Sequence, residues 1–163
     1  LCIVVPRHPE RFDEVFQAAQ ALNLTTQRRS LEQKIEADTQ IYLADSMGEM
    51  WLWYALSQVC YVGGSLNEPG GGHNILEPIA LNVPTILGKN YFNFQTIVDE
   101  FVEAQAVEVV ENVQQAATTL LKILNDSFKA ESLNTAAPKK PPQSTMHPQM
   151  HPTPCNNSLT ITL

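Results

Sequence analysis

Short apolar runs that alternate with stretches of helical periodicity constrain the fold of this chain most. The runs are rich in β-branched and aliphatic residues: LCIVV (1–5), IYLAD (41–45), VCYVGG (59–64), VPTILG (83–88) and AVEVV (106–110), with TTQRRS (25–30) as a weaker candidate. Amphipathic stretches between them predict helices, and the last of these, NVQQAATTLLKILND (112–126), is predicted to begin at the cap-like Asn112. This alternation is typical of βαβ units, so we predict an α/β fold with a parallel sheet flanked by helices.

Composition limits the function classes. The chain has 163 residues, 44% hydrophobic and 17% charged, which is typical of a globular domain with its own core. A net charge of -7 argues against nucleic-acid binding. Cys2, Cys60 and Cys155 have no disulfide or metal spacing. We find neither a signal peptide nor a run of about 20 apolar residues, and because Leu1 lies inside a strand-like run, we expect a piece of a longer protein.

A glycine-rich stretch from Gly63 to Pro78 follows the third strong strand. Gly70–Gly72 precede a helix predicted to begin at His73-Asn74, and exposed amides at a helix start favour an anion. His73 and Asn74 add possible donors, and Glu77, one turn further, suits the hydroxyls of a ribose. The residues therefore indicate a nucleotide site, phosphate first and ribose second. A flexible surface loop before an N-capped helix is the alternative.

Arg7 follows the first strand directly, and ligands of parallel sheets bind at the carboxyl ends of the strands. Its guanidinium group suits phosphate or carboxylate. The alternative is a salt bridge to Glu10 or Asp13. His8, next to a proline, is expected to be structural.

The segment DSMGEM (45–50) follows the second strong strand. Ser46 and Glu49 have the spacing of a capping box, which predicts a helix start. Gly48 would then lie in the first helical turn, where close approach of a ligand would explain a glycine. The aromatic residues of YFNFQTI (91–97) either line the same pocket or pack against the core.

The chain changes character from about Lys129, where prolines dominate and aliphatic residues are few. We predict a domain over 1–128 and a disordered or aberrant tail over 129–163. The tail contains soft potential metal ligands, which we interpret as a by-product of its composition: Met146, His147, Met150, His151 and Cys155.

Four motifs, taken together, resemble the C-terminal half of 3-deoxy-D-manno-octulosonic acid (Kdo) transferases. They are VPRHPERF (5–12), DSMGEM (45–50), VGGSL with GGHNILEP (62–78) and YFNFQTI (91–97). The resemblance covers about residues 1–126. It implies a GT-B architecture, in which two Rossmann-like halves face a cleft and the C-terminal half binds the donor CMP-Kdo.

The resemblance also implies which residues contact the donor. The matching positions are Pro6, Arg7, Met47, Gly48, Glu49, Gly72, His73, Asn74, Ile75, Leu76 and Glu77. It implies an inverting transfer of Kdo to lipid A without metal or cofactor. The catalytic base, the acceptor site and the membrane-associating surface would lie in an N-terminal half, at the cytoplasmic face of the bacterial inner membrane.

We expect this chain alone to bind the donor and to be inactive. Two alternatives stay open at this stage. One is the donor half of another GT-B glycosyltransferase that uses a UDP-sugar, and the other is a non-catalytic module whose glycine loop binds a protein partner.

Overall fold

A seven-stranded, fully parallel sheet forms the centre of the computed structural model, which describes residues 1–136 and 159–162. The strands are β1 (Cys2–Val5), β2 (Thr26–Arg28), β3 (Ile41–Leu43), β4 (Val59–Val62), β5 (Thr85–Gly88), β6 (Val107–Val110) and β7 (Leu159–Thr162). Their order across the sheet is β2-β3-β1-β7-β4-β5-β6. All six runs noted in the sequence, including the weaker TTQRRS, contain strands, so the predicted parallel α/β fold is confirmed.

α-Helices lie between successive strands except between β2 and β3, where a short 3-10 helix, Arg29–Leu31, is found instead. The α-helices are α1 (Phe12–Ala21), α2 (Met50–Ala55), α3 (Leu76–Ala80), α4 (Gln95–Glu103), α5 (Val113–Asn125) and α6 (Ser127–Ala136). The predicted cap of α5 is confirmed, because the Asn112 side chain accepts a hydrogen bond from the Gln115 amide at 2.9 Å. Among the described residues, no helix is both long and apolar enough to cross a bilayer.

The core lies on both faces of the sheet, as the period of two within each strand requires. In β4, Val59 packs with Ile123 and Leu133 from α5 and α6, whereas Val62 faces the opposite cluster. That second cluster includes Phe101 of α4. A separate cluster under β1 and β3 is closed by Trp53 of α2. Helices therefore cover both faces, and the loops after the strands gather at one edge.

The predicted tail differs from the structure where the structure describes it. Its proposed start at Lys129 lies inside α6, and residues 159–162 form β7, which pairs with β1 on one side and β4 on the other. The five potential metal ligands lie outside the described residues. Elsewhere in the described chain, no group of His, Cys, Asp or Glu side chains could hold a metal ion. The division into domain and tail stays a prediction.

Candidate functional site

We call the loops after β1, β3 and β4 the first, second and third loops. The first and third loops meet at the carboxyl edge of the sheet through Arg7 and His73. The Arg7 guanidinium donates from Nη1 to Nδ1 of His73 at 3.0 Å, across 66 residues of chain. Arginine has no acceptor, so Nδ1 must accept, and the neutral ring carries its proton on Nε2. Burial lowers the pKa of His73, and the charges of Arg7 and His8 lower it further. His73 is therefore a neutral donor, and Arg7 supplies the positive charge.

The proposed salt bridge of Arg7 with Glu10 or Asp13 is wrong. Glu10 lies 3.4 Å from His8 Nδ1, and Asp13 binds Arg28 at 2.6 Å. Within the described parts of the chain, Arg7 is exposed and has no carboxylate partner. Its guanidinium group is thus available to an anion arriving from solvent.

In the loop after β4, two of the three glycine amides predicted to be exposed are bonded within the fold. The amide of Gly71 donates to Asn90 at 2.9 Å and that of Gly72 donates to Gly64 at 2.9 Å, so neither amide is open to a phosphate. A Cβ on Gly72 would lie 3.3 Å from the Tyr91 backbone, and φ at Gly72 is +71°. The glycines therefore allow close packing of the loops after β4 and β5.

Gly64 permits the position of His73. A Cβ built on Gly64 would lie 3.0 Å from Nε2 of His73, and φ at Gly64 is +68°. Because Gly64 has no Cβ, the space beside Nε2 stays free, while Nδ1 of the same ring contacts Arg7. This packing fixes the ring in the orientation that turns Nδ1 toward the first loop.

The helix after the glycine loop begins later than predicted. It starts at Leu76 instead of Asn74, because the Asn74 side chain accepts from the Leu76 amide at 3.0 Å and takes the first turn out of the helix. His73 lies outside the helix, so the prediction that Glu77 follows it by one turn on the same helix face is wrong. Glu77 is half-buried, and burial raises the pKa of its carboxyl group.

The predicted capping box in the second loop is also wrong. Helix α2 begins at Met50, so Glu49 occupies the N-cap position, and its side chain does not cap the helix. Instead, Ser46 Oγ donates to Glu49, and Arg29 binds the same carboxylate through Nε at 3.2 Å and Nη2 at 3.1 Å. The hydrogen bond from Ser46 and the pairing with Arg29 outweigh partial burial and lower the pKa of Glu49.

Gly48 precedes α2 and does not lie in its first turn. Its φ is +82°, and no atom lies within 4 Å of the position a Cβ would take. Met47 beside it is 66% exposed. The segment between Asp45 and Glu49 therefore projects into open space.

Sequence reasoning missed a buried ionic cluster beneath this segment. Asp45 is 6% exposed, and its carboxylate accepts from Arg28 Nε at 2.6 Å and from the amide and hydroxyl of Ser30 at 2.8 and 2.6 Å. Burial raises the pKa of Asp45, but these hydrogen bonds and Arg28 outweigh it and lower the pKa below its usual value. The two adjacent arginines after β2 were the available signal.

The structure places the predicted site residues along one edge but joins only part of them. Arg7 and His73 bind each other, with buried Pro6 and Ile75 behind them. Across the described residues, no side-chain hydrogen bond or ion pair links Met47, Gly48 or Glu49 to this pair. The second loop is connected to the third through the packing of α2 on α3.

Comparison with known proteins gives the family. A family model described as glycosyl transferases group 1 matches residues 19–140. The chain belongs to this family. A crystal structure of the C-terminal CMP-Kdo binding domain of WaaA from Acinetobacter baumannii matches this glycosyl transferase chain with a TM-score of 0.82 and 65% identity, over 83% of this chain and 70% of the other.

Two curated relatives of this glycosyl transferase chain are named 3-deoxy-D-manno-octulosonic acid transferase. The Haemophilus influenzae protein is 41% identical over 137 residues, and the Bordetella pertussis protein is 33% identical over 138. These matches cover 83% and 84% of this chain but 32% of each relative. The resemblance to the C-terminal half of Kdo transferases is confirmed, and the chain spans about a third of the relatives' length.

Proposed function

We propose that this chain supplies the donor site of a Kdo transferase and binds CMP-Kdo through the loops after β1, β3 and β4. The Arg7–His73 pair is the observation that carries the proposal. Among the described residues, it places a cation without a carboxylate partner beside a neutral imidazole at the carboxyl edge of a parallel sheet. The 65% identity with a CMP-Kdo binding domain supports the same assignment.

Arg7 and His73 would bind the phosphate of the cytidylate. Arg7 offers a charged fork that is only partly used by His73, and the Nε2 proton of His73 adds a neutral donor. The amides of Gly71 and Gly72 donate to backbone carbonyls, so the side chains carry this role. A phosphate would also supply the negative charge that is missing around Arg7 among the described residues.

Glu77 would accept hydrogen bonds from the ribose hydroxyls. It is half-buried, close to the Asn74 turn, and its ionised oxygens are acceptors only. The remaining contacts are proposed from the resemblance: Pro6, Met47, Gly48, Glu49, Gly72, Asn74, Ile75 and Leu76. Asn74 would help to shape the loop, since its side-chain oxygen is bonded to the backbone.

The complete enzyme would transfer Kdo to lipid A with inversion, and CMP would leave. A cation and a hydrogen-bond donor at the phosphate stabilise the charge that develops on the leaving group. We propose that the base and the acceptor site belong to a second half of the protein. That half would also associate with the cytoplasmic face of the inner membrane.

Calorimetric titration of the 163-residue chain tests the donor site. We expect CMP to bind more tightly than UMP, and UMP more tightly than inorganic phosphate. A folded chain that prefers UMP would instead indicate a UDP-sugar donor. A folded chain that shows no binding heat or thermal shift with any of the three would contradict the proposal and favour a non-catalytic module.

A further inference from the structure

Three consecutive residues, of which Arg28 is the last of β2, contact both ends of the segment from Ser46 to Gly48. Arg28 and Ser30 bind Asp45 at its start, and Arg29 binds Glu49 at its end. We call the contacts to Asp45 and the contacts to Glu49 the two anchors of the segment. The side chains of residues 28–30 alternate between these anchors, because the backbone is extended at Arg28 and turns from Arg29 onward. We call residues 28–30 the arginine clamp.

The two anchors differ in strength. Asp45 is buried, whereas the side chains of Arg29 and Glu49 are 33% and 28% exposed. The first anchor therefore belongs to the fold, and the second can break without unfolding the domain. Between them, Gly48 has φ +82°, and no atom lies within 4 Å of the position a Cβ would take, so the contacts at either end of the segment define where its backbone lies. At Glu49 these contacts are the side chains of Arg29 and Ser46 and the amides of Leu52 and Trp53, which donate to its carbonyl.

We infer that Arg29 is a positioning residue for donor binding: its two hydrogen bonds hold Glu49, and thereby Met47 and Gly48, in the conformation that contacts the nucleotide. The inference rests on the proposed function, because it concerns the same loop. Arg29 also neutralises a carboxylate at the edge where Arg7 would receive an anion. Without Arg29, Glu49 would keep its negative charge near the incoming phosphate, and Ser46 alone would bind its carboxylate.

A matched pair elsewhere separates this role from a general effect of losing a salt bridge. Arg11 binds Glu14 with almost the same geometry, through Nε at 3.3 Å and Nη2 at 3.1 Å. That pair lies at the start of α1, and its side chains are 47% and 66% exposed. The variants Arg29→Gln and Arg11→Gln therefore remove equivalent bonds at different places.

The test is CMP titration of the full chain and its variants, with urea unfolding of each. We expect Arg29→Gln to weaken CMP binding about tenfold, which corresponds to the loss of one charge-assisted contact between the loop and the nucleotide. We expect Arg11→Gln to leave CMP binding unchanged. Arg29→Lys should recover only part of the affinity, because lysine cannot bind the carboxylate through a planar fork. In a Glu49→Gln background, Arg29→Gln should cause little further loss.

The outcomes distinguish the inference from the proposed function. Wild-type chain that fails to bind CMP overturns the proposed function. Wild-type chain that binds CMP, with Arg29→Gln binding equally well, overturns the positioning role alone. If Arg29→Gln lowered CMP affinity equally in the wild-type and Glu49→Gln backgrounds, the positioning role would also be overturned, since Arg29 would then act independently of Glu49. If Arg29→Gln does not fold, Glu49→Gln with a normal affinity overturns it.

Discussion

Arginine side chains occupy the carboxyl edge of the sheet in two regions that differ in what surrounds the charge. At the end of β2, Arg28 and Arg29 each bind carboxylates of this chain. After β1, Arg7 binds only a neutral imidazole among the described residues. The first region neutralises its charges internally and stabilises a loop, whereas the second retains a charge that a ligand can neutralise.

The two regions show how burial separates an arginine that is committed to the fold from one that is available to a ligand. Asp45 is withdrawn from water and must be satisfied by the fold, so Arg28 and Ser30 are committed to it. Arg7 remains exposed to water, so it costs little free energy for its guanidinium group to have no carboxylate partner among the described residues. Variants in the two regions should therefore separate stability from binding.

Asp45→Ala is expected to have the largest effect. It removes three hydrogen bonds and leaves Arg28 with Asp13 alone, so the free energy of unfolding should fall by about 2–4 kcal/mol. Asp13→Ala is the matched control, because Asp13 binds the same arginine but its side chain is 78% exposed. The control should cost under about 1 kcal/mol in urea unfolding. Similar losses would erase the distinction between the two partners of Arg28.

Arg7→Gln should show the opposite pattern. CMP affinity should fall by about tenfold to a hundredfold, because the variant removes a charge-assisted contact to phosphate. The free energy of unfolding should stay within about 0.5 kcal/mol of wild type, since Arg7 is exposed. Calorimetry and urea unfolding measure the two quantities. A large loss of stability with unchanged affinity would mean that Arg7 is structural.

Gly64→Ala should separate the crowded third loop from the open second loop. Gly64 and Gly48 both have positive φ, so alanine at either should cost about 1 kcal/mol. Only at Gly64 would the new methyl group meet His73, at 3.0 Å. We therefore expect Gly64→Ala, but not Gly48→Ala, to raise the pKa of His73 by pushing the ring toward water, as measured by NMR titration. An unchanged pKa in both would show that Gly64 does not support His73.

Glu77→Gln should have the smallest effect on stability. Burial raises the pKa of Glu77 in the folded chain, so its contribution to stability is fully present below the usual value of 4.5 and is lost as pH rises through the folded value. Unfolding curves should show the variant more stable than wild type at pH 7 by at most about 0.5 kcal/mol, with no difference below about pH 4. CMP affinity should fall at pH 7, whereas phosphate affinity should not. Equal losses for both ligands would contradict the ribose role.

Acid should affect the two regions differently as well. The pKa values of Asp45 and Glu49 are lowered, so the stability they provide is present above their usual values of 3.8 and 4.5 and is lost as pH falls further. Burial raises the pKa of Glu77, so protonation of this carboxyl group favours the folded state as the pH falls. Acid unfolding is therefore expected to begin at the arginine clamp rather than at the third loop.

Local patterns predicted the fold better than the site. Apolar runs such as VCYVGG and the cap at Asn112 depend on residues close in sequence, and both were confirmed. The capping box at Ser46 and Glu49 was wrong, because Arg29, 20 residues earlier, binds the carboxylate more favourably than a helix amide could. No spacing rule reveals that competition.

The glycine loop shows a second limit. The glycine-rich stretch predicted exposed amides, but those of Gly71 and Gly72 are bonded within the fold, and the loop that contains Asn90 and Tyr91 packs against these glycines. The partner of Arg7 could not be read from the chain either, since His73 is 66 residues away. The contribution of β7 was hidden because the surrounding composition predicts no regular structure.

The position of β7 sets the width of the proposed site. In the described chain, β1 and β4 do not pair with each other, and each pairs with β7 instead. Neighbouring strands lie about 4.8 Å apart, so the roots of the first and third loops stand roughly twice that distance from each other. If the chain ended before Leu159, backbone amides and carbonyls of β1 and β4 would face each other without β7 between them. Direct pairing of β1 with β4 would then bring the first and third loops closer together by about 4.8 Å.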